Sequence, residues 1–223
     1  MRGFVSDIFD EVEEDLRAER ARGLLLRYGG LVVGLALAVV AAAGGWQAWR
    51  WYDAKRTGQV AEVYLAGMRL AAGVGVGGAD RPGAIADFGK VAADGGEGYR
   101  TLARLYAAAL QADGGDLEGA KASWDQVASD GSADPLLRDL ANLMWVTHQL
   151  DSGDPAALQA RLQPLVEPQN AWHALAQEAQ ALLAIRRGAP EEAKQTLRAL
   201  AQDTTAPDGV RGRANGLLVR LGG

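Results

Sequence analysis

A stretch of 22 residues without a charged side chain lies between Arg27 and Arg50. It runs from Tyr28 to Trp49, and as a helix it would be about 33 Å long at roughly 1.5 Å per residue. The hydrocarbon core of a bilayer is about 30 Å thick, and a lone segment can cross it only as a helix, which satisfies its own backbone. The sequence therefore predicts one transmembrane helix.

Aromatic residues flank this stretch, and amphipathic rings prefer the headgroup level of a membrane. We expect residues 28–52 to form the span, with these side chains at the two membrane interfaces: Tyr28, Trp46, Trp49, Trp51 and Tyr52. One alternative is a buried helix rich in Ala and Gly, although such runs seldom exceed about 18 residues. Another is a signal peptide cleaved near Ala41-Ala42-Ala43, but its first region would be long and acidic rather than short and basic.

Composition and motifs argue against nucleic-acid binding, metal binding and catalysis. Residues 53–223 carry 17 Lys and Arg against 21 Asp and Glu and show no basic stripe, which argues against a nucleic-acid partner. The absence of Cys excludes disulfides, thiolate zinc sites and cysteine nucleophiles. Gly73-x-Gly75-x-x-Gly78 follows an Ala-rich helical pattern instead of a strand, which predicts a loop and not a dinucleotide site. We expect no metal, cofactor or enzymatic activity.

The first 27 residues are predicted to form a separate amphipathic helix. Val5, Phe9, Val12 and Leu16 recur at spacings of four, three and four, so they share one helix face. Acidic residues elsewhere on this helix make it a poor ligand for an anionic lipid surface. A protein partner and a merely solvated helix beside the membrane both remain open.

Beyond the span, helical patterns alternate with breaks rich in Gly, Pro and Asp, which predicts eight or nine antiparallel helices and no strands. A small or apolar residue followed by apolar residues four and seven positions later recurs at spacings of 36, 38 and 35: Ala84/Phe88/Val91, Ala120/Trp124/Val127, Leu158/Leu162/Leu165 and Ala193/Leu197/Leu200. These spacings lie just above the 34-residue tetratricopeptide repeat. The sequence therefore predicts an all-α chain in which residues 53–223 form an α-solenoid of degenerate tetratricopeptide-like helix pairs.

Solenoids bind extended partners on their concave face. If the leucine-rich stripes of the first helices are buried, the neighbouring stripe forms a binding groove lined by Arg100, Arg138, Trp145, His148, His173 and Gln180. An exposed Trp beside Arg and His favours an interaction hot spot. The alternative is that Trp145 belongs to the core and that this register is shifted by one residue.

The order of these parts resembles that of a bacterial family, the ancillary SecYEG translocon subunits often called YfgM-like. The tail carries the most specific match, in Phe9-x-Glu11-Val12 and Arg27-Tyr28-Gly29, and the resemblance extends over the whole chain. It implies an inner-membrane protein with a cytoplasmic N-terminus and periplasmic repeats. It also implies partners: the SecYEG-type translocon and membrane-anchored periplasmic chaperones of the prolyl-isomerase type.

The implied function is a non-catalytic scaffold that assists secreted or envelope proteins after translocation. A scaffold for another cell-envelope assembly or division complex is the alternative. Charge encodes the orientation only weakly, because four basic residues closely precede the span and three closely follow it.

Overall fold

The computed structural model describes the backbone of residues 5–73 and 79–222, and the side chains of residues 27, 28, 30, 31, 33–73 and 79–222. The described residues form nine α-helices: α1 Val5–Ala72, α2 Arg81–Asp94, α3 Glu97–Asp113, α4 Leu117–Ser129, α5 Pro135–Thr147, α6 Pro155–Leu162, α7 His173–Arg186, α8 Pro190–Gln202 and α9 Asp208–Arg220. The chain divides into two compact units, residues 1–56 and 57–223, and each is described by itself.

In the first unit, the five aromatic side chains predicted for the membrane interfaces are all exposed. The rings of Trp46 and Trp49 lie 5.6 Å apart, and Lys55 Nζ lies 5.4 Å from the ring centre of Trp51. Over the described part of the chain, no helix has the combined length and hydropathy of a membrane span. The Val32 side chain within the predicted span, and the side chains of the predicted amphipathic face in the first 27 residues, lie outside the described residues.

The second unit consists of helix pairs whose second members are α2, α4, α6 and α8. All twelve residues of the recurring sequence pattern are buried with at most 1% of their surface exposed. Burial is therefore confirmed at every position of the predicted pattern. Apolar residues at this spacing share one helix face, which is why one face of each second helix is fully covered.

Each hydrophobic core joins three helices. The first contains Val60 of α1, Phe88 of α2 and Ala103 of α3, and the second combines α3, α4 and α5 around Trp124. The third and fourth follow the same order, with α5, α6 and α7 and then α7, α8 and α9. The first helix of the next pair thus completes the core of each pair, and α9 does so for the last pair.

Aspartates cap the N-termini of four of these helices, α2, α4, α5 and α6, as the sequence breaks predict. Asp116 accepts a hydrogen bond from the Gly119 amide at 2.9 Å, and Asp154 accepts one from the Ala157 amide at 3.1 Å. Such caps satisfy amides that have no partner within the helix. Gly115, just before α4, has a φ of +89°, a conformation that favours glycine and lets the chain reverse within three residues.

The third pair differs from the predicted pattern, because α6 is only 8 residues long. Its helix ends at Leu162, two residues before Pro164, which has no amide hydrogen to donate to the helical ladder. A turn continues the chain, since Leu165 N donates to Leu162 O at 2.9 Å. This turn keeps Leu165 buried although it lies outside the helix.

The packing predicts the cost of truncating Trp124, which has 0% of its surface exposed. Trp124→Ala should lower the free energy of unfolding by about 3–5 kcal/mol, because it removes a large buried side chain and leaves a cavity. Thermal and chemical unfolding of the purified chain in detergent would measure this loss. Gln126→Ala, an exposed change on the same helix, is the matched control. An equal change in the free energy of unfolding for both variants would contradict the assignment of Trp124 to the core.

Candidate functional site

The first helices of the pairs carry a row of half-buried leucines, which we call the leucine row: Leu102, Leu140 and Leu175. They lie 38 and 35 residues apart, so each occupies the same position in successive pairs. The predicted groove assumes that these leucines lie in buried stripes together with Leu105, Leu143 and Ala179, but only the latter three are buried. The leucine row therefore gives the first helices an apolar surface that solvent reaches in part.

All six residues predicted to line a groove are half-buried. No hydrogen bond, ion pair or ring contact recorded among the described residues joins any two of them. Arg100 Nη2 donates to Gly95 O at 3.3 Å. The Nε2 atom of His173 lies 3.5 Å from an Asp203 carboxylate oxygen.

His148 is directed toward the core of the second pair. Its Nδ1 atom lies 2.9 Å from Met144 O, and its ring centre lies 4.6 Å from that of Trp124. The Nε atom of Arg138 is buried and has no partner among the described residues. The Gln180 side chain makes no polar contact with other described residues. These contacts are local to each residue, and the shared groove stays a prediction.

Trp145 lies at the junction of the second and third pairs. It packs against both neighbouring cores, and the Cζ atom of Arg161 lies 3.8 Å from its ring centre. Arg161 also donates to Asp125 at 2.5 Å and to Asn142 at 3.2 Å. Trp145 thus packs between pairs while it stays half-buried, and a cation of the chain itself covers its ring.

Two aspartates hold the turns that follow α4 and α8 in the same way. Asp130 accepts hydrogen bonds from the amide and hydroxyl of Ser132, at 3.0 and 2.7 Å. Asp203 accepts the corresponding bonds from Thr205, at 2.8 and 2.6 Å. These hydrogen bonds are the main reason that the pKa of each carboxyl lies below its usual range.

Each aspartate also contacts a basic residue on the first helix of its own pair. Asp130 lies 3.3 Å from Arg104, and Asp203 lies 3.5 Å from His173. These two contacts connect the turn after each second helix to the first helix beside it. His173 therefore takes part in a structural contact that recurs in the chain, a role that its isolated position in the sequence does not indicate.

An aromatic cluster joins the first two pairs, and sequence reasoning missed it. The ring centre of Tyr64 on α1 lies 5.5 Å from that of Phe88 and 5.6 Å from that of Tyr99. Tyr106 stacks on Phe88 at 5.6 Å with an interplanar angle of 20°. The pKa of the Tyr64 hydroxyl is raised, mainly by burial and to a smaller extent by the neighbouring Tyr106 and Tyr99. We call these four residues the aromatic cluster.

The residues of the aromatic cluster differ in their exposure to solvent. Phe88 is fully buried, whereas Tyr106 has 40% of its surface exposed. The cluster holds every Tyr and Phe of residues 57–223. That concentration and the seven-residue spacing of Tyr99 and Tyr106, which places both on one face of a helix, are the signals that could have found it.

Comparison with known families matches residues 25–212 to the tetratricopeptide repeat-like domain. The chain therefore belongs to this family. Comparisons with curated proteins and with solved structures give no match. Repeat domains of this kind bind other proteins on the surfaces that stacked helices create, and the leucine row and the aromatic cluster both lie on such helices.

The lowered pKa values of Asp130 and Asp203 predict how stability depends on pH. A carboxyl whose pKa is lower in the folded state adds stability above its unfolded pKa and loses it as pH falls through the folded value. Asp130→Asn with Asp203→Asn should therefore flatten the decline in Tm below about pH 4. Circular dichroism of the full chain in detergent would measure the slope, with Asp113→Asn and Asp151→Asn as the control. If the Tm of the double variant falls with decreasing pH as steeply as that of the unaltered chain, the prediction is contradicted.

Proposed function

We propose that this chain is a non-catalytic, membrane-anchored scaffold whose first helices bind other proteins. The observation that carries the proposal is the leucine row beside Tyr106, on helices that already complete the cores of neighbouring pairs. Rigid helices that present apolar and aromatic side chains are suited to binding, because little conformational entropy is lost. Among the described residues, no group of three His, Asp or Glu is placed to hold a metal ion.

The anchor is the uncharged segment between Arg27 and Arg50, with residues 28–52 as the span. Its described apolar side chains, such as Leu35 and Val40, are exposed along α1, and a bilayer would cover them at favourable free energy. We place the chain in a bacterial inner membrane with a cytoplasmic N-terminus and periplasmic repeats. Release of the chain from membranes by alkaline carbonate would contradict the anchor.

The proposed partners are the SecYEG-type translocon and membrane-anchored periplasmic chaperones. The tail motifs Phe9-x-Glu11-Val12 and Arg27-Tyr28-Gly29 support this choice, since they are the parts most similar to the translocon-associated family. In this role the scaffold would keep chaperones beside emerging secreted or envelope proteins. A second candidate uses the same anchor and repeats for another cell-envelope assembly or division complex, because helix pairs of this kind serve many scaffolds.

Affinity purification of the full chain from detergent-solubilised membranes tests the proposal. Translocon subunits should co-purify, and Leu102→Ser should reduce their recovery by about fivefold or more, which corresponds to roughly 1 kcal/mol of binding free energy. Leu102 suits this change because it belongs to none of the buried cores. Leu117→Ser, at an exposed leucine of α4, is the matched control, and melting curves confirm that both variants fold.

Two results would contradict parts of this account. Recovery of a different envelope complex without translocon subunits would favour the second candidate. Unchanged recovery by a folded Leu102→Ser variant would exclude this part of the leucine row from the binding surface.

A further inference from the structure

Three aromatic rings elsewhere in the described chain have a cation of the chain itself beside them. Arg27 lies 5.9 Å from the ring centre of Tyr28, Lys55 lies 5.4 Å from that of Trp51, and Arg161 lies 3.8 Å from that of Trp145. Tyr106 differs, because its recorded ring contacts are with aromatic rings only. Within the described residues, no cation lies over this exposed ring.

The ring of Tyr106 is also fixed in place. Phe88 stacks against it, and Tyr64 meets it edge-on, with ring centres 6.1 Å apart and an interplanar angle of 77°. Tyr99 packs in turn against Tyr64. A ring held on two sides loses little side-chain freedom when a ligand binds, which is the property of a preorganised aromatic anchor.

The first three helix pairs, which include the aromatic cluster, carry a net negative charge. Residues 57–172 carry 8 Lys and Arg against 15 Asp and Glu, whereas residues 173–223 carry 7 against 5. The two cations of α3 are already engaged, Arg100 with Gly95 O and Arg104 with Asp130. A basic ligand of these three pairs therefore gains Coulomb attraction from their net negative charge, in addition to its attraction to the face of an aromatic ring.

We propose that the aromatic cluster binds an Arg or Lys side chain of a partner polypeptide, with the cation over Tyr106. The inference rests on the proposed protein-binding function and adds the chemistry of the segment that binds. Leu102 lies one helical turn before Tyr106 on α3, so an aliphatic residue next to the partner's cation would contact the leucine row. The recognised segment is thus basic and carries an apolar neighbour.

A peptide titration with the full chain in a non-ionic detergent tests this site. The probe is a labelled twelve-residue peptide of Ala and Gln with two Arg and one Leu, and its comparator replaces each Arg by citrulline, which keeps the shape and removes the charge. Fluorescence anisotropy should show about two- to fivefold tighter binding of the Arg peptide, the size expected of a cation over an exposed ring. Added salt should reduce this preference.

Variants at Tyr106 distinguish the effect of its aromatic face from the effect of its side-chain volume. Tyr106→Leu should abolish the preference for the Arg peptide, because it keeps apolar volume but removes the aromatic face, and Tyr106→Phe should retain it. Leu117→Ala, at a leucine with 42% of its surface exposed, should leave the preference unchanged. Melting curves confirm that each variant folds.

Equal binding of the two peptides, or a preference that survives Tyr106→Leu, would overturn the proposal. Self-association of the chain that depends on Tyr106 and blocks the peptide would also overturn it, since a second copy would then be the ligand. A missing Arg preference together with successful recovery of translocon subunits would reject this site alone. An Arg preference without recovery of any partner would support the site and reject the proposed function.

Discussion

No helix pair in this chain can bury its own apolar face, and the rest of the structure depends on that constraint. The core around Trp124 needs Ala141 of the next pair, and the core around Leu158 and Leu162 needs Ala176. Stability in such arrays is approximately a sum of terms for each repeat and for each interface between neighbours. The end of α1 and the whole of α9 therefore count as parts of the array, because they cover its first and last cores.

The same constraint gives the first and second helices of the pairs different surroundings. Each second helix buries one face in the core of its own pair, whereas each first helix packs one face into two cores and exposes another face to solvent. Polar contacts between equivalent positions of neighbouring pairs fix their spacing, as in Trp172 to Leu136 O at 2.9 Å and Arg186 to Leu150 O at 2.7 Å, each 36 residues apart. At the last interface, Arg213 of α9 donates to both oxygens of the buried Glu178 at 2.6 Å. Rigid spacing of this kind lets an extended partner contact several first helices at once.

The sequence predicted what depends on local pattern. The helix pairs, the buried positions of the second helices and the capping aspartates follow from periodicity and turn chemistry, which act within a few residues. The early end of α6 could also have been predicted, because Pro164 is visible in the sequence. By contrast, the positions of Trp145 beneath Arg161 and of Tyr106 on Phe88 depend on how each helix rotates about its axis. That rotation is set by packing between helices distant in sequence, so the pattern of one helix could not place the binding surface.

Hydrogen exchange of the full chain, alone and in the complex recovered from membranes, would test the central claim most directly. Amide exchange reports local opening, which partner contacts suppress. If the first helices form the binding surface, the complex should show slower exchange in α3 and α5, with the largest change near Leu102 and Tyr106, and little change in α4. Slower exchange confined to the second helices α4, α6 and α8 would contradict the claim.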